Sequence, residues 1–366
     1  MSVLAAPALS ALVERLRDAN ASRRPLCLRG GGSKDFYGEK PHGDQLDLRG
    51  LEGPAEHEPT ELVVTAPAGM SVAALEAQIA EHGQCLAFEP PHFGPSSTVG
   101  GMVAAGLSGP ARARAGSLRD HLLGVSLLSG NGELMHFGGK VIKNVAGYDV
   151  SRVIAGSLGI LGIVVQASLK VLPNPESRAT LRFDMKPAQA LAALHAWGGE
   201  PLPLDASAWW NGNLVLRLRG AAAAVEAAGH QLGGEPIAPA AAVPFWQDLR
   251  DHRDEFFVAA NEAIEHQDAA LWRLSLPPTA PLLGLAGDEL IEWHGAQRWL
   301  VTPLPAQAVR DAAAAVGGHA TLFRGGDKSA GVFAPLAPPL VAIHARLKRA
   351  FDPNGILNPG RLYPGL

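Results

Sequence analysis

The chain has 366 residues, 47% of them apolar and 18% charged, and its 31 Lys and Arg against 35 Asp and Glu give a formal charge of −4. That length is too great for one ordinary core and suits two domains of a globular protein, with no basic excess to suggest nucleic acid and no charge block to suggest a disordered tail. Its two cysteines, Cys27 and Cys85, are far apart and form no C-x-x-C, which argues against a disulfide framework, a zinc site or iron–sulfur ligation.

Leu9, Leu12, Val13 and Leu16 recur at helical spacing with Glu14, Arg15 and Arg17 between them, an amphipathic helix rather than a signal peptide. No stretch reaches the roughly 18–20 apolar residues of a membrane span, so a cytoplasmic protein is expected. Residues 25–29 read as a short buried strand that empties into Gly30, Gly31, Gly32, Ser33 and Lys34. Such a loop makes a nest of N–H donors with a cation beside it, and pyrophosphate fits that description. It is not a G-x-G-x-x-G turn followed by a long helix, so a nicotinamide site is not expected. A strand at 61–66, a helix at 71–82 with Ser71 as N-cap and a strand at 85–88 complete a small α/β subdomain.

The stretch from 95 to 173 is rich in glycine. It opens P-S-S-T-V-G-G-M at Pro95, continues S-G-P-A-R-A-R-A-G-S-L-R-D from Ser108 and K-N-V-A-G-Y-D from Lys143, and closes G-S-L-G-I-L-G-I-V-V from Gly156. Thr98, Val99, Gly100 and Gly101 form a tight turn into a short helix whose free N–H groups and positive end suit a phosphate. Strands at 122–128 and 133–137 flank Asn131-Gly132, a hairpin signal. A long strand at 160–172 starts beside Gly159 and Gly162, where backbone can lie against a flat ring.

Pro173, Asn174 and Pro175 mark a boundary. Beyond it, strands are expected at 180–185, 213–219, 271–276, 297–302 and 320–324. Helices are expected at 188–197, 221–232, 245–257 and 306–316, with a loop at 236–244. This order suggests an antiparallel sheet backed by helices. A helix at 340–351 then ends at D-P-N-G, followed by I-L-N-P-G-R. The expected domains are 1–173, 174–339 and a returning tail at 340–366.

These segments resemble the FAD-binding domain of the vanillyl-alcohol-oxidase-type flavoproteins, in the 2-hydroxy-acid oxidase branch, and within it the FAD-binding subunits of bacterial glycolate oxidases. The likeness covers most of the chain; it is most specific at 95–173, with a second match at F-D-P-N-G-I-L-N-P-G-R (351–361). It implies an α+β fold, a two-subdomain FAD-binding domain with an antiparallel-sheet cap. It implies FAD held by Arg29, Gly30, Gly31, Gly32 and Ser33, by Ser97, Thr98, Val99, Gly100 and Gly101, by Ser108, Gly109 and Gly116, and by Gly159, Gly162, Ile163, Val164 and Asn358. Some relatives carry in the first loop a histidine bonded covalently to flavin; none lies between Arg29 and Tyr37, so non-covalent FAD is expected.

Full-length hydroxy-acid members carry an H-x-G-D-G-N-L-H-like motif, often with a divalent metal. The nearest echo here, His319 to Arg324, is not a metal-ligand pattern, and no metal site is expected. The cap does hold Arg273, Arg298 and Arg324 inside apolar, aromatic-flanked strands, where an unpaired guanidinium is costly. They are expected to converge on one pocket over the flavin ring, facing a carboxylate or a partner's acidic residues, with His319 or His294 as a base. The function implied is that of an FAD-binding subunit oxidising glycolate to glyoxylate. The partners implied are a longer catalytic flavoprotein subunit and an iron–sulfur subunit. A self-sufficient FAD-dependent 2-hydroxy-acid dehydrogenase and a non-catalytic, flavin-stabilised scaffold remain the alternatives.

Overall fold

The computed structural model describes residues 6–139 and 149–366. Most of the K-N-V-A-G-Y-D segment lies outside them. The chain divides into two compact units: one runs to Leu107 and adds Ser117–Pro173 and Pro335–Leu366, and the other combines Ser108–Gly116 with Asn174–Ala334.

The first unit is built on a five-stranded antiparallel sheet in the order Glu56–Glu58, Val63–Pro67, Ile163–Lys170, Leu122–Leu128, Leu134–Gly138. Its central strand, I-V-V-Q-A-S-L-K, is apolar on both faces because both are covered. The helix Val72–Ala80 packs Leu75 and Ile79 into the same core, and Ser71 caps it by accepting from the amide of Ala74 (3.1 Å). A separate parallel pair, Leu26–Arg29 with Asp44–Asp47, carries the triple-glycine loop at its end. The strand expected at 85–88 shrinks to Gln84–Cys85, because Glu89, at φ +50°, turns back and its amide bonds the carbonyl of Leu86.

The second unit is an eight-stranded antiparallel sheet, with Ser177–Asp184 and Asn213–Gly220 towards one edge and Ala270–Ser275 and His319–Gly325 at the other. Three of its strands escape the sequence pattern, the two-residue edge strand Glu235–Pro236 among them. Leu204–Trp210 is bulged at Asp205, whose buried carboxylate pairs with Arg217 on the next strand, and Asp288–Glu292 joins it to Gln297–Thr302. The single helix expected at 245–257 is two helices, Pro239–Asp251 and Glu255–His266. His252 ends the first in a left-handed conformation (φ +56°), and Asp254 starts the second by accepting from the amide of Phe257 (3.2 Å). Prolines suggest a loop at 236–244, yet Pro239 opens the helix, where its missing N–H costs nothing.

Candidate functional site

In the first unit the two glycine-rich loops interlock. A Cβ on Gly31 would stand 1.5 Å from the carbonyl oxygen of Ser96, and one on Gly30 would stand 2.5 Å from Thr98 Oγ1. Glycine at both positions is therefore demanded first by loop-on-loop packing. Ser96 Oγ donates to the carbonyl of Gly31 (2.7 Å) and closes the contact. Lys34 folds over the joint, its Nζ donating to Ser97 Oγ (2.8 Å) and lying 5.6 Å from the centre of the Phe93 ring. Among the described residues, no acceptor takes the backbone amides of Gly31, Gly32 or Ser33. They are available as a nest of N–H donors beside Arg29, itself paired with Asp35 (2.7 Å).

The nest opens into a cleft of about 800 Å³, counting its mouth, and the cleft brings together thirteen of the expected cofactor residues. Lining it are Arg29, Gly30, Gly31, Gly32 and Ser33 from the first loop, Thr98, Gly100 and Gly101 from the second, and Gly159, Gly162, Ile163, Val164 and Asn358. Sequence reasoning assigned Lys34 only as a neighbouring cation and missed Arg361, although both lie in quoted motifs and both line the cleft.

Several expectations need correction. The amides of Gly100 and Gly101 are already used, by the carbonyl of Ala68 (2.8 Å) and by Thr98 Oγ1 (3.2 Å), so these glycines offer a smooth wall rather than phosphate donors. Ser97 and Val99 are buried behind that wall, Ser97 as acceptor for Lys34 and Val99 in the core. Ser108, Gly109 and Gly116 belong to the other unit, where Trp293 Nε1 donates to the carbonyl of Gly109 (3.0 Å) and Arg112 lies 4.6 Å from the centre of the Trp293 ring.

A profile of the FAD binding domain matches residues 3–138, and one of the C-terminal domain of FAD linked oxidases matches residues 325–362. The chain is 42% identical to the glycolate oxidase subunit GlcE of Escherichia coli over 97% of both proteins. It belongs to the GlcE family of FAD-linked oxidases. More distant relatives match only part of it: the glycolate oxidase subunit GlcD of Bacillus subtilis is 34% identical over 43% of this chain and 34% of that protein. The D-lactate dehydrogenase of Archaeoglobus fulgidus is 30% identical over 45% of this chain and 37% of that protein. A solved structure of alkyldihydroxyacetonephosphate synthase shares the fold, with a TM-score of 0.68 at 15% identity, over 96% of this chain and 74% of that one.

FAD, the family's cofactor, fits the cleft. The unengaged amides in its lining suit a diphosphate, and the apolar lining residues Leu158, Ile163 and Val164 suit an aromatic ring. Burial raises the pKa of the Cys27 thiol, despite Arg361 and Arg29 nearby, so it is not an activated nucleophile.

In the second unit, sheet register separates the three arginines. Arg273 stands opposite Trp299 and Thr321, whereas Arg298 stands opposite Leu274. Directly paired residues share a face, so Arg298 points away from Arg273. Convergence of all three is thereby excluded. Arg298 is fully buried and serves the loop that precedes its sheet partner, donating to the carbonyls of Ala280 (2.7 Å) and Pro281 (2.8 Å), with Glu289 3.8 Å away.

Arg324, opposite Leu271, and His319, opposite Ser275, do share the face of Arg273. That face is charged and aromatic. His252 stacks on Phe257 (3.6 Å between ring centres), and burial, with Arg324 and Arg273 nearby, holds its pKa well below 6.5. Glu292 is buried and accepts from Trp299 Nε1 (2.6 Å) and Gln297 Nε2 (3.1 Å), yet burial pushes its pKa up to about 7. His294 sits in a turn where Trp293, His294 and Gly295 all have positive φ, and burial pushes its pKa down to about 4, which makes it a poor base at neutral pH. No group of three or more potential metal ligands occurs among the described residues. No helix among them is long and apolar enough to cross a membrane.

Proposed function

We propose that this chain is the FAD-binding subunit of a glycolate oxidase-type complex, which oxidises glycolate to glyoxylate. The observation that carries the reading is the cleft with its unengaged amides at Gly31–Ser33, in a chain that matches E. coli GlcE over 97% of both proteins. Bound FAD supplies the two-electron redox chemistry that no side chain provides. The protein's own share is to hold that group between the glycine loops and the 158–164 wall.

Arg273 and Arg324 offer guanidinium groups to an anionic 2-hydroxy acid or to an acidic partner surface. Among the described residues no acceptor takes Arg273 Nε. His319, its pKa lowered by burial and by Arg273, is neutral at pH 7 and able to accept a proton. The domains relevant to function are the FAD-binding unit, with its returning tail, and a cap carrying this charged face. The partners are a GlcD-type flavoprotein and an iron–sulfur subunit, assembled in the cytoplasm or at the inner face of the membrane. Turnover with glycolate and an artificial acceptor tests the reading. The isolated chain should bind FAD and turn over little, and the assembled complex should be active. Full activity of the isolated chain would instead establish a self-sufficient dehydrogenase, and an active complex containing an FAD-free form of this chain would establish a scaffold.

A further inference from the structure

The C-terminal tail contacts two of the segments that line the FAD cleft. Asn358, held at φ +41°, spends its side chain on two backbone groups: Oδ1 accepts from the amide of Leu28 (2.6 Å) and Nδ2 donates to the carbonyl of Leu158 (2.7 Å). Leu28 leads into the triple-glycine loop and Leu158 precedes Gly159, and both line the cleft, so one side chain ties these two wall segments together. The position of Gly159 depends on the same group, since a Cβ there would meet Asn358 Nδ2 at 2.9 Å. Arg361 holds the glycine loop from beyond, donating to the carbonyls of Asp35 (2.9 Å), Tyr37 (2.6 Å) and Glu39.

The tail is itself anchored by a buried ion pair. Lys348 Nζ donates to Asp352 Oδ2 (2.8 Å) and to the carbonyls of Ile160 (2.8 Å) and Leu357 (2.6 Å). Asp352 in turn accepts from the amides of Ile356 (3.1 Å) and Leu357 (2.8 Å). Both polar atoms of the Asn358 side chain are engaged by protein backbone, which makes it a tie between the two segments.

We propose that the tail from Asp352 to Arg361 is a clamp that sets the width of the FAD cleft, with Asn358 as its positioning residue and Lys348–Asp352 as its anchor. A ligand that touches both walls binds the docked-tail state alone, so FAD binding and tail docking are reciprocally linked. The inference rests on FAD occupying this cleft.

The experiment is FAD titration of deflavinated full-length chain, with hydrogen exchange of the same samples. Asn358→Ala is expected to raise the Kd for FAD by about ten- to a hundredfold, and Asn358→Asp, which keeps the acceptor for Leu28, to raise it less. Asn354→Ala, which removes a tail contact to Asn20 remote from the cleft, is expected to leave Kd unchanged. In the wild type, FAD should slow exchange at 356–361 as well as in the glycine loops. A wild type that binds no FAD refutes the cofactor reading itself. A wild type that binds FAD while Asn358→Ala keeps its Kd, or while exchange at 356–361 is unaltered, overturns the clamp. If Asn358→Ala does not fold, the wild-type exchange result and the Asn358→Asp titration decide.

Discussion

Glu292→Gln should flatten the pH dependence of stability. In the wild type the carboxyl is buried, and burial outweighs the two hydrogen bonds from Trp299 and Gln297 that favour its charged form. Its pKa rises from 4.5 to about 7, so the folded chain binds this proton more tightly than the unfolded chain does. The stability it contributes is therefore complete below pH 4.5 and is lost as pH rises through about 7. Between pH 5 and pH 8 the loss amounts to about 2–3 kcal/mol. Asp254, pushed up to about 6, acts in the same direction in both proteins and largely cancels in the comparison. Glutamine keeps an acceptor for Trp299 and has a donor for Gln297 Oε1, which lacks a partner among the described residues. Urea unfolding at pH 5 and pH 8, followed by tryptophan fluorescence, measures the difference. Parallel pH dependence in wild type and variant would refute the reasoning.

Gly31→Ala should destabilise the fold by more than about 3 kcal/mol, because its Cβ overlaps the Ser96 carbonyl; an unchanged thermal midpoint would sink that account. Gly101→Val meets only Thr98 Oγ1 (3.2 Å), so it should fold and lose FAD by filling the cleft wall, which flavin absorbance of the purified protein reads directly. Arg298→Met should cost about 3–5 kcal/mol by abandoning two buried carbonyls and Glu289 while flavin content per folded chain stays unchanged. Acid precipitation should release the flavin into the supernatant, since no histidine lies between Arg29 and Tyr37; a yellow pellet would mean a covalent bond.

Local chemistry made much of the protein legible from its sequence. The glycine loop after a short strand, the Ser71 cap and the Asn131-Gly132 hairpin all act over a few residues, and their physics is complete within the segment. The same holds for the motif I-L-N-P-G-R, whose return to the first unit is seen in the bridge between Leu26 and Leu357. Pairing across the chain decided the rest. Whether Arg298 faces Arg273 depends on strand register, and a shift of one residue reverses a side chain's face. Leu204–Trp210 is a strand because Arg217, on a neighbouring strand, neutralises its buried Asp205. Gly100 and Gly101 lost their role as amide donors to acceptors at Ala68 and Thr98, and Asn358 became a tie between walls only once Leu28 and Leu158 stood on either side of it. A sequence specifies which groups exist and what each can do alone; which partner consumes each donor is set by the folded neighbourhood.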